Sequence, residues 1–435
     1  MEKILNYNNE KSIEILNSFI SNNRSTGLDI SDQVKRIISN VKENGDQAIN
    51  ELTLKYDNYD IEKNGILVSE DDINNAYDKC DKELIYALEQ AAERISAFHE
   101  LQLPKNISYV DNNNVSLSSR WSPLDSVGLY VPGGKASYPS SVLMTAIPAK
   151  IAKVPEISMC VPSPNGYLNP SVLVAAKITG IKKIYKIGGA QAISAMTYGS
   201  ESVKSVNKIF GPGNSWVAEA KRQLFGKVGI DMVAGPSEIL VIADSLSNPS
   251  WIAADLLSQA EHDVDSQSIL ITDNIDFANK VEIEINSLIK SLDRAEIAKA
   301  SWDNNGLIII VKNWKQSIEI ANQIAPEHLE ISMDDPEIIS DNINNAGSIF
   351  MGRYVPEAIG DYIAGPNHVL PTASTARFSS GISTLDYMRR TSLIKCDLNS
   401  LSSIAPSAIK IAKNEGLGAH ALSMEIRIKN IKNEE

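Results

Sequence analysis

From Ser126 to Gly352 the chain alternates short β-branched runs with longer stretches of helical period, and no other feature limits its fold as strongly. The runs are SVGLYVP, EISMCVP, KKIYKIGG, KIFGPG, EILVIAD, SQSILITD, GLIIIVK, HLEIS and GSIFMG. Gly or Pro bounds most of them, and helical segments lie between most neighbours. Strands joined by helix-length connections run parallel, because a tight hairpin joins only antiparallel partners. The expected fold is α/β. Two Rossmann-like, mostly parallel sheet domains are expected rather than one, because the GPGN and AGPSE stretches make a pause near Gly235-Pro236.

Before this region the chain reads as helical. Val34, Ile37, Ile38 and Val41 share a helix face, Gly45 stops that helix, and further segments run from Ala48 to Tyr56 and from about Lys82 to His99. After Phe378 the alternation ends. The expected division is an N-terminal helical segment, 1–25; a first α/β domain from 26–129 and 236–380; a second from 130–235; and a helical tail, 381–435. That tail has no core of its own size, so it is expected to pack on a partner subunit.

Composition narrows the partners. With 41 Lys+Arg against 54 Asp+Glu the net charge is −13, and no basic run offsets it. This argues against nonspecific binding to nucleic acid or anionic membrane. It leaves room for a small anion held by backbone N–H groups. Cys80, Cys160 and Cys396 lie far apart without CxxC spacing, which suggests neither a disulfide framework nor a thiolate zinc site. The opening MEKILNYNNEKSIEIL has no long apolar stretch, and Leu307 to Val311 is too short to span a bilayer. The expectation is a soluble cytoplasmic protein.

An α/β chain invites a search for the dinucleotide fingerprint G-x-G-x-x-G/A. The literal match, Gly416 to Ala421, follows a helical pattern rather than a strand, with too little chain after it, and is rejected. Gly211-Pro212-Gly213-Asn214-Ser215-Trp216 follows a strand and opens a helix. Its plainest reading is a turn with Asn214 or Ser215 as N-cap, although its amides also suit a phosphate or ribose. Tyr130-Val131-Pro132-Gly133-Gly134 and Gly188-Gly189-Ala190-Gln191 are comparable turns. All three fall at the carboxyl ends of parallel strands, where open α/β sheets bind ligands.

Four of the five histidines lie in polar strings at segment ends. His99 is the exception, read as a residue at a helix end with a surface role or a place at the C-terminal end of the helix dipole. The strings are Ser258-Gln259-Ala260-Glu261-His262-Asp263, Pro326-Glu327-His328-Leu329-Glu330, Gly360-Asp361 through Asn367-His368, and Glu415 through His420. Each has a structural reading of its own: His262 as a helix cap, Glu327-His328 as a solvated junction, Asp361 as a turn former. Together they supply His, carboxylate and carboxamide without Cys, which suits a catalytic metal site with open positions.

At this level of detail the strings resemble one family, the histidinol dehydrogenases. The similarity runs from VKENGDQAINELTLKYD to EGLGAHALS, most clearly in YVPGGKASYPSSVLM, IGGAQAI, FGPGN, AGPSE, LLSQAEHD, IAPEHLE, GDYIAGPNHVLPT, ARFSSGI and EGLGAHA. The resemblance implies a zinc-containing, NAD-dependent homodimer that oxidises L-histidinol to L-histidine through bound histidinaldehyde, using two NAD. It implies zinc ligation by Gln259, His262, Asp361 and His420, with His420 and Glu415 coming from the partner subunit. It makes His328 the general base and Glu327 the activator of water. Ser237, His368 and Glu415 would orient the substrate along with the zinc ligands and His328, while Tyr130, Gln191 and Asn214 match the NAD positions. Cys160, in the apolar run ISMCVP, reads as a buried strand residue rather than a nucleophile. Trp216 stands where Tyr is frequent, and Ala373-Ser374 where Gly is common. A zinc hydrolase and a non-catalytic two-domain binding protein are the competing readings from the residues alone.

Overall fold

The computed structural model describes residues 3–8, 10–22, 29–133 and 137–431. Gly134, expected in the first glycine turn, and the boundary expected at residues 25 and 26 lie outside the described residues.

In chain order the strands are β1 (Ile4–Asn6), β2 (Ile107–Val110), β3 (Ser116–Pro123), β4 (Ser126–Tyr130), β5 (Glu156–Cys160), β6 (Lys183–Tyr185) and β7 (Lys208–Phe210). There follow β8 (Gly229–Ile230), β9 (Glu238–Ala243), β10 (Gln267–Thr272), β11 (Gly306–Ile310), β12 (His328–Ser332), β13 (Ser348–Met351) and β14 (Met388–Lys395). They form a five-stranded sheet in the order β6-β5-β4-β7-β8, a six-stranded sheet in the order β1-β11-β10-β9-β12-β13, and a three-stranded sheet, β14-β3-β2. The first two are wholly parallel. Every run read as a strand is one, and the two-sheet division near Gly235 holds. Leaving aside the added edge strand β1, both sheets repeat the same doubly wound order, with the chain reversing direction between β4 and β7 and between β9 and β12.

Parallel strands are covered on both faces, so they read as continuous apolar runs. In β9 all six residues are buried. Ile239, Val241 and Ala243 face one core with Ile252, Leu256 and Trp302, while Leu240 and Ile242 face another with Phe19, Ile320 and Leu329. The five-stranded sheet is sandwiched likewise, with Val127 and Leu129 on one side and Tyr130, Cys160 and Ile209 on the other.

Several expectations change. The segment 1–25 is not purely helical, because β1 pairs with β11 before the helix Glu10–Asn22 begins. The helices of residues 31–100 pack on the five-stranded sheet, through Val34, Val41 and Ile49 on one face and Leu88, Ala91 and Ile95 on the other. Packing therefore joins them to residues 126–230 instead of 236–380. Gly45 interrupts the helix Ser31–Asp57 with φ +50° and ψ −129°, a break where a stop was expected. The tail is not wholly helical either: β14 pairs antiparallel with β3 across eight residue pairs before the helices Leu398–Asn414 and Gly418–Ile431. Much of this third sheet is bare, with Ile107, Tyr109, Val110 and Ile394 all more than half exposed. No described helix is long and apolar enough to cross a membrane.

His99 is fully buried, not at the surface. Its Nδ1 pairs with Gln102 Oε1 at 2.7 Å and its Nε2 faces Asn367 Nδ2 at 3.4 Å. Asn367 also donates to the Met144 carbonyl at 2.6 Å, so the loop before His368 is tied to the other sheet's helices.

Candidate active site

The helix Trp314–Ile324 ends on Ala325, which is in the left-handed region at φ +50°, and Pro326 prevents its continuation. Glu327 and His328 follow at the amino end of β12, beside the start of β9, with His328 level with Ile239. One residue of β9 holds both. The Glu238 N–H donates to Glu327 Oε2 at 3.0 Å, and the Glu238 carbonyl accepts from His328 Nδ1 at 3.0 Å. A carbonyl only accepts, so Nδ1 carries the proton and Nε2 presents its lone pair. That Nε2 is buried with no hydrogen bond among the described residues and lies 3.4 Å from Glu357 Oε1.

Burial dominates the electrostatics. It lowers the His328 pKa to about 4, although Asp361 and the hydrogen bond to Glu238 oppose it. His328 is therefore a neutral base at pH 7. Burial also holds Glu327 well above the usual carboxyl range; the Glu238 N–H opposes this, and the acids Glu238, Asp361 and Glu357 reinforce it. Glu357 is pushed to about 8, again chiefly by burial and then by Asp361. A crowd of carboxyls that resists ionisation in isolation is well suited to receive a cation.

His328, Glu357 and Asp361 offer donor atoms within 4.8 Å of one another, the only such group among the described residues. Ser258 Oγ donates to Glu357 Oε2 at 3.2 Å, which places the end of the helix Pro249–Ala260 against this cluster. The Asp361 carbonyl accepts from His368 Nδ1 at 2.9 Å. His328, Phe350, Asp361, Asn367 and His368 line a cavity of roughly 20 Å³.

Of the expected metal ligands, Asp361 lies in the cluster. Gln259 is almost fully buried, and its Oε1 has no hydrogen-bond partner among the described residues. An orphaned amide oxygen is costly and fits a missing electrophile. His262 is exposed just beyond the helix end, yet close enough that its charge lowers the pKa of both His328 and His368. His420 and Glu415 are exposed on the tail and are not in the cluster. Ser237 is half-buried, with its carbonyl accepting from Gln267 N–H at 2.9 Å. Sequence reading passed over Glu238 and Glu357. The four-residue step from Glu357 to Asp361 puts both on one helical face, a signal available in VPEAIGDYI.

The glycine turns converge at the reversal point of the five-stranded sheet. Tyr130, at the carboxyl end of β4, accepts at its hydroxyl from the Gly189 N–H at 3.0 Å. Gly211, after β7, packs so closely that a Cβ there would overlap the Tyr130 carbonyl oxygen. Gln191 is buried in the helix that begins at Gly189. Asn214 is exposed and caps its helix, with Oδ1 accepting from Val217 N–H at 3.2 Å. The Gly416 pattern sits between two helices and not after a strand. Cys160 is fully buried, and burial raises its thiol pKa, the opposite of an activated nucleophile.

The histidinol dehydrogenase family model matches residues 21–428. Histidinol dehydrogenase of Brucella abortus (strain 2308) is 52% identical over 411 residues, covering 94% of this chain and 96% of the relative. Histidinol dehydrogenase 1 of Nostoc sp. is 50% identical over 415 residues, covering 95% and 96%. A crystal structure of histidinol dehydrogenase from Elizabethkingia anophelis superposes with a TM-score of 0.93 at 35% identity, covering 99% of this chain and 98% of that one. The matched segments carry the buried Glu327-His328 pair and the glycine turns, and on this breadth of similarity the chain belongs to the histidinol dehydrogenase family.

Proposed function

We propose that the protein oxidises L-histidinol to L-histidine through bound L-histidinaldehyde, with two NAD, in the last steps of histidine biosynthesis. The observation that carries this reading is His328: a neutral, buried imidazole whose Nδ1–H is fixed by a backbone carbonyl and whose Nε2 is left as a base. His328 Nε2 takes the proton of the substrate alcohol as hydride departs. Glu327, held beside it by the Glu238 N–H and a strong base in its ionised form because burial raises its pKa, then takes a proton from water as the oxygen attacks the aldehyde carbon. The protonated His328 returns its proton to the former carbonyl oxygen as water adds; the hydrate so formed loses a second hydride, and His328, neutral once more, receives a hydroxyl proton. NAD supplies the acceptor for each hydride. Keeping the aldehyde bound between steps excludes its release and side reactions.

Gln259, His262, Asp361 and His420 of the partner subunit would hold zinc; one carboxylate and three neutral donors leave positions for substrate nitrogens. When bound, the ion supplies a Lewis-acid anchor for the imidazole and amine of histidinol. The orphaned Gln259 Oε1 supports this assignment. Ser237, His368 and Glu415 of the partner subunit complete the substrate's polar contacts. Tyr130, Gln191 and Asn214 form the NAD side.

A homodimer follows from the same reading. His420 is exposed on a helix whose Leu422 and Ile426 are about half exposed, as is Leu417 just before it. Ile107, Tyr109 and Val110 on β2 and Ile394 on β14 are more than half exposed as well, apolar side chains that a partner subunit would cover. The test is NADH formation, followed by near-UV absorbance, when zinc-loaded protein receives L-histidinol and NAD. Absence of NADH would remove the dehydrogenase reading.

A further inference from the structure

The turn after β7 rests on a buried ion pair that the chemistry above leaves without a role. Lys221, on the helix Ser215–Leu224, and Asp231, just after β8, have side chains only 2% and 1% exposed. Lys221 Nζ donates to Asp231 Oδ1 at 2.5 Å and to the Gly211 carbonyl at 2.7 Å. Asp231 Oδ2 accepts from the Gly211 N–H at 2.7 Å, and Oδ1 accepts from Met232 N–H at 2.7 Å. Both polar backbone groups of Gly211 are thus held by one charge pair.

Gly211 has φ +110°, a conformation that side-chain-bearing residues avoid, and it lies directly against Tyr130. A buried ion pair adds little net stability compared with apolar side chains of similar size, since desolvation offsets most of the attraction. What it supplies is direction: a lysine and a carboxylate hold a peptide that an apolar filling would leave free to rotate. This peptide leads into Pro212-Gly213-Asn214 at the reversal between β4 and β7, where doubly wound sheets bind nucleotides.

We propose that the Lys221–Asp231 pair is a positioning device for the cofactor-side turn, setting NAD affinity without touching the reacting atoms. This rests on the assignment of that turn to NAD. The test compares the parent with Lys221→Met/Asp231→Asn, a pair of changes that leaves no lone buried charge. Circular dichroism and zinc content report the fold. With charge-assisted hydrogen bonds to the turn lost, KM for NAD is expected to rise about tenfold while kcat stays within about threefold. KM for histidinol and bound zinc stay unchanged.

Calorimetry with NAD alone provides a readout independent of turnover, and its Kd should rise by the same factor. A folded variant with unchanged NAD affinity, or with equal rises in both KM values, overturns the proposal. Should the double variant misfold, Lys221→Arg keeps the buried pair charge-balanced while altering its reach to the Gly211 carbonyl, and must show the same split in smaller degree. A parent that binds NAD but forms no NADH from histidinol refutes the assigned reaction instead, while the calorimetric comparison still decides the role of the pair.

Discussion

Replacing Glu327 by Gln separates the two oxidations. The carboxamide has nearly the shape of the carboxyl, and its oxygen can accept the Glu238 N–H now bonded to Glu327 Oε2 at 3.0 Å. The change removes a buried group held well above its usual pKa, so folding at pH 7 should be unimpaired. What disappears is the base for water. General bases contribute about 10²–10⁴ in rate, or roughly 3–5 kcal/mol of barrier. His328 keeps its Nδ1–H bond to the Glu238 carbonyl, so the alcohol should still be oxidised. Stopped-flow absorbance should then show a burst of about one NADH per site, followed by a steady state about 10²–10⁴ slower than the parent. Steady turnover equal to that of the parent would refute the role given to Glu327. Loss of the burst in a folded, zinc-loaded variant would refute the division of labour between the two residues.

Chelation should abolish activity and zinc restore it, and His262→Asn should lose both metal and turnover; zinc retained at full occupancy in that variant removes His262 from the ligand set. Inactive His328→Asn and inactive His420→Asn proteins, mixed under conditions of subunit exchange, should regain roughly a quarter of parental activity, because random pairing restores one intact site in half of the dimers. No regain would place His420 outside its partner's site. Asp255, raised from 3.8 to about 6 chiefly by burial, ionises less readily folded than unfolded. Its contribution to stability is therefore complete below about pH 3.8 and lost as pH rises through about 6. Asp255→Asn in chelator should flatten the fall in unfolding free energy between pH 4 and 7 by on the order of 1–3 kcal/mol, and an unchanged slope in urea titrations would contradict this.

The two parallel sheets were legible in the chain because their strands are buried on both faces and announce themselves as unbroken apolar runs. Shorter and barer strands were not. β1 and β8 are three and two residues long, and β3, SLSSRWSP, has no buried residue. Such segments become strands only because a neighbour distant in sequence supplies hydrogen-bond partners, as Met388–Lys395 does for β3. His99 shows the same limit for a side chain: its burial depends on Asn367, 268 residues away. The histidine strings marked where chemistry lies, but nothing in them shows that the backbone of Glu238 holds both Glu327 and His328. The Lys221–Asp231 pair was likewise invisible, since each residue alone reads as an ordinary surface charge.

The glycine turns and the Glu327–His328 cluster use opposite ends of their two sheets, and this has an electrical consequence. The turns lie at carboxyl ends of strands of the five-stranded sheet, and so beside the amino ends of the helices Gly189–Tyr198 and Ser215–Leu224. Glu238, Glu327 and His328 lie at amino ends of strands of the six-stranded sheet, whose preceding helices include Pro249–Ala260 and Trp314–Ile324, carboxyl ends foremost. Helix dipoles thus place partial positive charge at the turns and partial negative charge at the cluster. An anionic group is favoured at the first place and a cation at the second before any charged side chain is counted. In this acidic protein, chain polarity alone separates the two signs.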